Sequence, residues 1–437
     1  MPTLEGIIFI PLALYFFFWR PDFLFPLLIM STMFQASSVV STGTVGIQPY
    51  YCIVPLYIIR FLPLRLGTKR YLRESDRSTR AWIAFALVSV ISAFTLPFFF
   101  SGILVFDPRS SIDENFLFPA PLHFQMENVV QSVFLILNVL MVVTSSREVR
   151  STERAQRAFF WSAFFLTAFV IIQALFLWLG LPFPIKLFDN NPGYGVVNMI
   201  SGSMRPNGTF TEPSMAGAVL AAFTAVFLWR YFARKSNIVR AGITLAACLL
   251  VASTSSLVAV LLVFVMLLIA NPIFRFPWYI RVVRLKRFAI FFACLALASL
   301  SLLIPAVRTL LLSQTLGKEG SHSAIVRLGA DAFAFNLFKE TYGIGVGLGS
   351  NRPSSLAAAI LSQVGFLGFV LFVRAAWKTL SPLRKEQRWI GMAAVALLLS
   401  MALGVPDLSF PFLWILFSLA AQSRAFHTLS EPSQRLL

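Results

Sequence analysis

Residues 159–179 read FFWSAFFLTAFVIIQALFLWL, a run of 21 positions without a charged side chain. A helix of that length covers the hydrocarbon thickness of a bilayer, which is about 30 Å. Similar runs recur along the whole chain, which has 437 residues, 58% of them hydrophobic and 12% charged. One soluble core does not need so many long apolar runs, so the sequence predicts a polytopic membrane protein.

Breaks at charged residues and at Pro, Gly and Asn divide the apolar sequence into candidate spans. They number about thirteen, at residues 5–19, 23–40, 50–64, 81–100, 129–144, 159–179, 213–229, 241–252, 256–270, 288–304, 355–373, 389–403 and 410–421. The first lacks the basic segment and cleavage site of a signal peptide, so we expect a span there. The eighth and ninth meet at a serine-rich junction, and form either two short spans or one broken helix. The predicted fold class is all-α: a polytopic transmembrane helical bundle of about 12–13 spans, forming one integral-membrane domain over residues 1–437.

Lys and Arg residues gather on one side of these alternating spans. That side holds 28 of the 36 basic residues and 7 of the 18 acidic ones, whereas the other side holds 8 basic and 11 acidic residues. Such asymmetry is the positive-inside signature, so the first side is predicted to be cytoplasmic. The net charge of +18 then reflects topology and anionic lipid headgroups. It gives no reason to expect nucleic acid as a partner.

Three longer segments are then predicted to lie outside, at residues 101–127, 180–212 and 305–354. The chain has no GxxxxGK[ST] loop for nucleotide binding and no pair of interrupted repeats typical of secondary transporters. Cys52, Cys248 and Cys294 sit inside apolar runs, which indicates neither a disulfide framework nor a metal site. The chemistry is therefore expected in the last two outside loops.

The 180–212 segment ends in the stretch MRPNGTFTEPSMAG, residues 204–217. Arg205 precedes the turn pair Asn207-Gly208, and Glu212 and Pro213 open the seventh span. The amides and the positive dipole end of that helix favour an anion, and a guanidinium binds phosphate bidentately. We therefore expect a phosphate group at Arg205. The alternative is that Arg205 contacts lipid headgroups and Glu212 only complements the helix dipole.

The 305–354 segment carries a second arginine, Arg327, on a predicted helix at residues 323–340. Arg327 and Asp331 stand four residues apart, the spacing of a helical ion pair. The apolar residues of this helix form a predicted stripe: Ile325, Leu328, Ala332, Phe335 and Phe338. The large loop is thus expected to be partly helical and to lie on the membrane surface or over the bundle.

Alternating glycines follow in the run GIGVGLG, residues 343–349. Glycine permits unusual backbone angles and the close approach of a ligand. Two interpretations of the run are open. Either Gly343, Gly345 and Gly347 contact a ligand directly, or the run is a flexible re-entry loop. The run is not a dinucleotide fingerprint, because the third glycine of GxGxxG is missing.

Together these segments resemble the bacterial O-antigen polymerase/ligase family. The similarity covers roughly residues 181–373: RPNGTFTEPSMAG at the start of a span, Arg327 in a later outside loop, and then GIGVGLGS and LSQVGFLGFVLF. The resemblance implies a GT-C-like membrane glycosyltransferase of the bacterial inner membrane, with its site on the periplasmic face. Its substrate is an undecaprenyl-diphosphate-linked oligosaccharide, without nucleotide sugar, cofactor or metal. A chain-length regulator and a flippase are the implied partners.

That chemistry suggests roles for the cationic residues and their neighbours. A sugar that leaves a lipid diphosphate develops negative charge on phosphate oxygens, so we expect Arg205 and Arg327 to bind the diphosphate. Asn207 and the three glycines named above are expected to line the same substrate site. The acceptor hydroxyl must lose a proton to a base. Glu212 is the first candidate, with His322 and Asp331 behind it, and a merely solvated loop histidine is the alternative for His322.

Departures from the family pattern separate its branches. The ligase branch, which transfers finished glycan to lipid A core, resembles a pattern with a loop histidine and a Gly-x-x-Gly-Thr-Trp-like stretch, and no such Trp occurs here. Residues 351–355 read NRPSS where many relatives carry His-Asn. The departures favour a polymerase of O-antigen or exopolysaccharide repeats over a ligase.

Two further functional classes stay open beside a glycosyltransferase. The first is a lipid-linked oligosaccharide flippase or polysaccharide transporter, for which charges are expected to line a cavity through the membrane interior. The predicted spans are nearly uncharged at their centres, which favours chemistry at one face over translocation. The second is a structural subunit of an export complex, which explains the hydrophobicity but not the outward arginines.

Overall fold

The computed structural model describes residues 3–43, 45–62, 76–106, 119–146, 152–192, 199–200, 203–234, 238–270 and 322–430. These residues form thirteen α-helices: α1 (Leu4–Phe18), α2 (Leu24–Ser31), α3 (Pro49–Phe61), α4 (Asp76–Phe99), α5 (Met126–Ser145), α6 (Thr152–Trp178), α7 (Pro213–Arg234), α8 (Ile238–Val251), α9 (Thr254–Ala270), α10 (His322–Glu340), α11 (Leu356–Leu380), α12 (Arg388–Gly404) and α13 (Pro411–Ser430). Three short antiparallel pairs join β1 (Val40–Ser41) to β2 (Gly46–Ile47), β3 (Leu104–Val105) to β4 (Ala120–Pro121), and β5 (Met199–Ile200) to β6 (Ser203–Met204).

The helices follow the predicted apolar runs. Twelve of the thirteen runs correspond to helices, while the run at 288–304 lies outside the described residues. Six helices of the described residues are long and apolar enough to cross a membrane: Arg77–Phe99, Met126–Ser145, Thr152–Trp178, Pro213–Ala233, Leu356–Leu380 and Lys385–Gly404. The prediction of an all-α, multi-pass membrane protein is confirmed at that level. The thirteenth helix, α10, forms inside the large loop where a partly helical segment was expected.

The second predicted run is wrong in length. The prediction extended it over residues 23–40, but α2 ends at Ser31. The hydroxyls of Ser31 and Thr32 donate to the carbonyls of Leu28 and Ile29, and the chain then leaves the helix in turns. Polar side chains at residues 35–38 bind neighbouring loops, an interaction that hydropathy alone does not register.

The eighth and ninth runs form two separate helices. α8 ends at Val251, Ala252 adopts a positive φ of 53°, and α9 begins at Thr254. The rings of Phe232 near the end of α7 and Phe264 in α9 lie 6.1 Å apart. α9 therefore runs in the same direction as α7 and reverses the direction of α8. This excludes a single broken helix that continues in one direction.

Helix α7 lies at the centre of the bundle. Nearly every residue from Ala216 to Val226 has 0% exposure, and small side chains form the surface on which α8, α9 and α12 pack. A Cβ at Gly217 would come within 2.6 Å of the Ser256 hydroxyl. Close helix approach at the start of α7 therefore depends on that glycine.

Helices α7, α9, α11 and α13 all begin at one end of the bundle, which we name the site end. Gly217 in the first turns of α7 lies against the start of α9, and the ring of Phe210, before α7, lies 6.2 Å from that of Phe410, before α13. α11 begins beside α10, as detailed below. The positive dipole ends of α7, α9, α11 and α13 thus face this end. The opposite end, named the basic end, carries Arg154, Arg157, Arg230 and Arg388.

Candidate functional site: two arginines and two carboxylates at the site end

The loop before α7 is fixed by Gln173 of α6. The Gln173 amide nitrogen donates to Asn207 Oδ1 at 2.9 Å, and its oxygen accepts from the amides of Asn207 and Gly208 at 3.2 and 2.9 Å. Gly208 has a φ of +62°, as the predicted Asn-Gly turn requires. Asn207 has 0% exposure. Its hydrogen bonds hold the loop in place, and its predicted contact with substrate stays a prediction.

The other side of this loop is bound to the segment after α2. Thr209 donates to the Met33 carbonyl, and both the amide and the hydroxyl of Thr211 donate to Gln35 Oε1 at 3.1 Å. A rigid loop therefore separates Arg205 from Glu212. Little conformational entropy is left to lose when these two residues bind a ligand.

Arg205 is a buried cation with incomplete hydrogen bonding. The residue is 8% exposed, and one terminal nitrogen donates to the Ala252 carbonyl at 3.4 Å. Its Nε is buried and has no hydrogen-bond partner among the described residues. Burial, and then the positive charge of Arg327, lower the pKa of Arg205 to about 10, while Glu212 opposes the shift. The guanidinium is still charged at neutral pH, and a buried charge of this kind calls for an anion.

Arg327 and Glu212 meet beside Arg205. Arg327 Nη2 lies 3.8 Å from Glu212 Oε2, which also accepts from the Ser214 hydroxyl at 2.8 Å. The side chains of Arg327 and Glu212 are 44% and 27% exposed, so this long ion pair contributes at most about 1 kcal/mol to stability. Glu212 and Arg327 thus bring one residue of each segment into contact, and the prediction that the two segments form a substrate site stays a prediction. The Arg327 guanidinium is therefore accessible to an anionic ligand and only loosely paired with Glu212.

The predicted ion pair between Arg327 and Asp331 is wrong. Arg327 contacts Glu212 instead, and Asp331 Oδ1 accepts from the amides of Ser354 and Ser355 at 2.7 and 3.0 Å. Helix α11 begins directly after Ser355, so Asp331 satisfies amides at its start and joins α10 to α11. Its role as a base stays a prediction. His322 is the first residue of α10, and its side chain lies outside the described residues.

The apolar stripe predicted for α10 is not the face that packs against the rest of the protein. The buried face consists of Ala330, Ala334 and Leu337, each 1% exposed, whereas Leu328 and Phe335 are 73% and 41% exposed. The buried set is spaced by four and three residues, as a helix face requires. The face that packs closely carries small alanines rather than the larger apolar residues, and periodicity does not distinguish the two faces.

The glycine run is packed inside the protein. Gly343, Gly345, Gly347 and Gly349 all have φ between 78° and 106°, and the run lies in a kink of α11 at Gly365, where φ is 74°. The amides of Val346 and Gly347 donate to carbonyls of α11 at 2.9 and 2.8 Å. A Cβ at Gly345 or Gly347 would come within 2.7 or 2.9 Å of backbone atoms. The backbone of the run thus lies close to α11 and α4. The predicted contact of the glycines with a ligand stays a prediction.

Two further charged residues, Asp407 and Arg352, belong to the site. The sequence predictions did not include them as site residues. Asp407, between α12 and α13, accepts from the amide and the hydroxyl of Ser409 at 2.9 and 2.5 Å. Burial raises the pKa of Asp407, the Ser409 hydroxyl and Arg352 lower it, and Glu212 raises it. The signal in the sequence is an acid before Pro411, at the start of the last predicted span. It is easily overlooked because the loop is only a few residues long.

Hydroxyl groups line the junction of α8 and α9 beneath Arg205. Ser253 and Ser255 lie 3.1 Å apart, and Ser256 bonds both Ser253 and Ser400 of α12, at 3.0 and 3.2 Å. This cluster adds neutral donors at the N-terminus of α9, close to the Arg205 guanidinium. Positive charge, helix dipoles and hydroxyls therefore converge, the combination that binds phosphate oxygens.

An apolar groove of about 800 Å³ lies between α7, α9, α11 and α12. It extends from Leu356 and Ala357, in the first turn of α11, to Leu380 and Arg388 near the basic end. A straight helix from Leu356 to Leu380 would rise about 36 Å, and the kink at Gly365 shortens that distance towards the thickness of a bilayer core, about 30 Å. The described residues thus offer a long apolar path that begins next to the Asp331 contact.

The described residues contain no group of three or more His, Cys, Asp or Glu side chains that could hold a metal ion. Comparisons with protein-family models, with curated proteins and with solved structures find no match to this chain. The conclusions about function therefore depend on the residues and geometry described above.

Proposed function

We propose that this protein is a membrane glycosyltransferase that polymerises oligosaccharide repeat units carried on undecaprenyl diphosphate. In this proposal it has a GT-C-like architecture, works on the periplasmic face of the bacterial inner membrane and makes O-antigen or exopolysaccharide. The observation that carries the proposal is Arg205, a buried guanidinium with an unpartnered Nε, next to Arg327. The three arginines, Arg205, Arg327 and Arg352, outnumber the carboxylates of Glu212 and Asp407, so the site carries a net positive charge suited to a diphosphate.

The arginines act on the leaving group. As the bond between the donor sugar and the diphosphate breaks, negative charge grows on the bridging phosphate oxygen. A guanidinium already fixed in a buried place stabilises that charge without reorganisation, which lowers the barrier more than it strengthens ground-state binding. Arg205 suits this task because its loop is held by Gln173 and Gln35. Arg327, which is more exposed, is available to capture the incoming donor.

The lipid part of the donor has a suitable environment. The apolar groove beside α11 begins near Asp331, four residues after Arg327, and is lined almost wholly by hydrocarbon side chains. Burial of each CH₂ group contributes about 0.8 kcal/mol. One amphipathic donor can therefore occupy both features, with its polyprenyl chain in the groove and its diphosphate at the arginines.

The proposal is tested with the purified protein in liposomes. The substrate is a lipid-linked repeat unit extracted from cells that lack this protein. We expect a ladder of longer glycans in the presence of EDTA and without nucleotide sugar. Arg157→Ala is a matched control, because Arg157 is 75% exposed at the basic end and only loosely paired with Glu153. It is expected to retain the wild-type ladder.

Three outcomes contradict the proposal. The first is no ladder from the cognate repeat, and the second is an undiminished ladder in folded Arg205→Ala and Arg327→Ala variants. The third is transfer of a single finished glycan to lipid A core, which replaces the polymerase with a ligase.

A further inference from the structure

The short loop between α12 and α13 places the Asp407 carboxylate near Arg352 and Glu212, and burial raises its pKa. We propose that Asp407 binds the acceptor sugar hydroxyl and takes its proton, in place of Glu212, His322 or Asp331. This inference rests on the proposed glycosyl transfer and names the residue that completes it.

The Asp407 loop is fixed by contacts on both sides. The Tyr51 hydroxyl of α3 donates to the Ser409 carbonyl at 2.5 Å, and the Trp414 indole donates to the Leu408 carbonyl at 2.8 Å. The neighbouring Phe410 has 0% exposure and packs against Phe210 of the loop that carries Arg205. The two loops are thus joined through their aromatic rings, and Asp407 is held at a fixed place relative to the arginines.

The hydrogen bonds of Asp407 leave one oxygen available. Both bonds from the described residues, those of the Ser409 amide and hydroxyl, end on Oδ1. Within the described part of the chain, Glu212 and Asp331 also use only one oxygen each, but Glu212 Oε2 lies 3.8 Å from Arg327 Nη2, and Asp331 Oδ1 accepts from two amides at the start of α11. Asp407 therefore differs from Glu212, which lies next to a guanidinium, and from Asp331, whose bound amides join α10 to α11.

The charges around Asp407 suit a proton acceptor. The groups that act on it are Arg352, which precedes α11, and Glu212, which precedes α7; Arg205 and Arg327 act on Glu212 in turn. Burial is the largest influence and raises the pKa of Asp407 above its usual value of 3.8. A carboxylate with a raised pKa accepts a proton better than an ordinary surface carboxylate, since basicity rises with pKa.

The chemical step balances without a further reactant. The acceptor oxygen forms a bond to the anomeric carbon of the donor sugar while its proton passes to Asp407 Oδ2. The bond from that carbon to the diphosphate oxygen breaks, and its electron pair leaves with the lipid diphosphate at Arg205 and Arg327. Asp407 then returns the proton to water or to the departing diphosphate.

A purely structural role is the competing explanation, because an Asp that accepts from the residue two positions on also stabilises a turn before a helix. Asp407→Asn separates the two roles, since the amide oxygen still accepts from Ser409 but the side chain no longer takes a proton. Ser409→Ala is the matched variant, because it removes one hydrogen bond to Asp407 and keeps the carboxylate.

The experiment measures kcat, KM and donor binding across pH for both variants in liposomes. We expect Asp407→Asn to lower kcat about 10²- to 10⁴-fold, the usual contribution of a general base, with donor binding and thermal stability near wild type. Loss of the Ser409 hydroxyl raises the pKa of Asp407, so Ser409→Ala is expected to shift the acid limb of the kcat profile to higher pH. A structural role predicts neither the split between kcat and binding nor this shift.

The inference is overturned if Asp407→Asn keeps its kcat within about threefold of wild type, or if Ser409→Ala is the more damaging variant and leaves the acid limb unchanged. Failure of the proposed function gives a different result, because then the wild-type protein neither binds the lipid-linked donor nor extends it. Donor binding with product formation and an active Asp407→Asn variant contradicts the inference alone.

Discussion

Arginines lie at both ends of this bundle, but their surroundings differ. At the basic end, Arg154 pairs with Asp22 at 2.9 Å and lies 4.7 Å from the centre of the Phe23 ring. At the site end, Arg205 is buried and has an unpartnered Nε. The Arg154 charge is satisfied by a neighbour and by solvent, since its side chain is 40% exposed. The difference shows that burial without a full set of partners, rather than positive charge itself, separates a candidate anion site from an arginine that is paired and partly exposed.

The largest expected effect is at Arg205. Arg205→Lys keeps the positive charge but loses the planar fork, so we expect kcat for glycan extension to fall about 10²- to 10³-fold, as when one fixed donor to a developing anion is lost. Arg154→Lys at the basic end is expected to leave kcat unchanged. Initial rates in liposomes measure both. Equal losses in the two variants contradict the distinction between the ends.

A smaller effect is expected at Arg327. Arg327→Ala removes a partly exposed guanidinium, and we expect kcat/KM to fall about 10- to 100-fold, mainly through weaker donor binding, since each tenfold loss corresponds to about 1.4 kcal/mol. Binding of a lipid diphosphate, followed by thermal shift at several salt concentrations, reports this loss. A drop confined to kcat places Arg327 on the transition state rather than on the captured donor.

Alanine substitutions at two glycines compare the packed glycine run with an open surface of α8. At Gly347 φ is +106°, and a Cβ would lie 2.9 Å from the Ser92 carbonyl, so Gly347→Ala is expected to lower the free energy of unfolding by about 2–3 kcal/mol. At Gly242, in α8, a Cβ meets nothing within 4 Å. Gly242→Ala is therefore expected to raise stability by up to about 1 kcal/mol. Thermal unfolding in detergent compares them, and similar midpoints contradict the packing explanation.

The smallest expected effect concerns the support of the Arg205 loop. Gln173→Leu leaves the buried amides of Asn207 and Gly208 without their acceptor, which costs about 1–3 kcal/mol of stability. Because the loop carries Arg205, we also expect a lower kcat with unchanged donor capture by Arg327. Unfolding midpoints and initial rates test the two parts separately. Unchanged values for both show that Gln173 does not position Arg205.

The all-α, multi-pass class was predicted correctly because it depends on local composition, whereas the number of spans stays a prediction. The run at 159–179 lies almost wholly in α6, which extends from Thr152 to Trp178. In a bilayer, backbone groups must bond within their own segment, so an apolar run of sufficient length has little choice but a helix. The prediction failed at α2, where side chains of Ser31 and Thr32 ended the helix early.

The site was predicted in part. The sequence indicated Arg205, Glu212 and Arg327 from their positions in two predicted outer loops, and the structure brings them together. The sequence analysis assigned the wrong partner to Arg327, because an i, i+4 spacing on a helix permits an ion pair but does not require one. Asp407 was overlooked since its loop is short and its neighbour Arg352 is distant in sequence.

By itself, the sequence determined the class of the protein, the places of most helices and the two-ended distribution of charge, because each follows from local hydropathy and from the cost of burying charge in hydrocarbon. The tertiary structure alone decided that Glu212 lies next to Arg327, that the glycine run packs into the kink of α11, and that Asp407 joins the site. Those relations connect residues far apart along the chain. They depend on how thirteen described helices pack, and a local pattern carries no information about such distances.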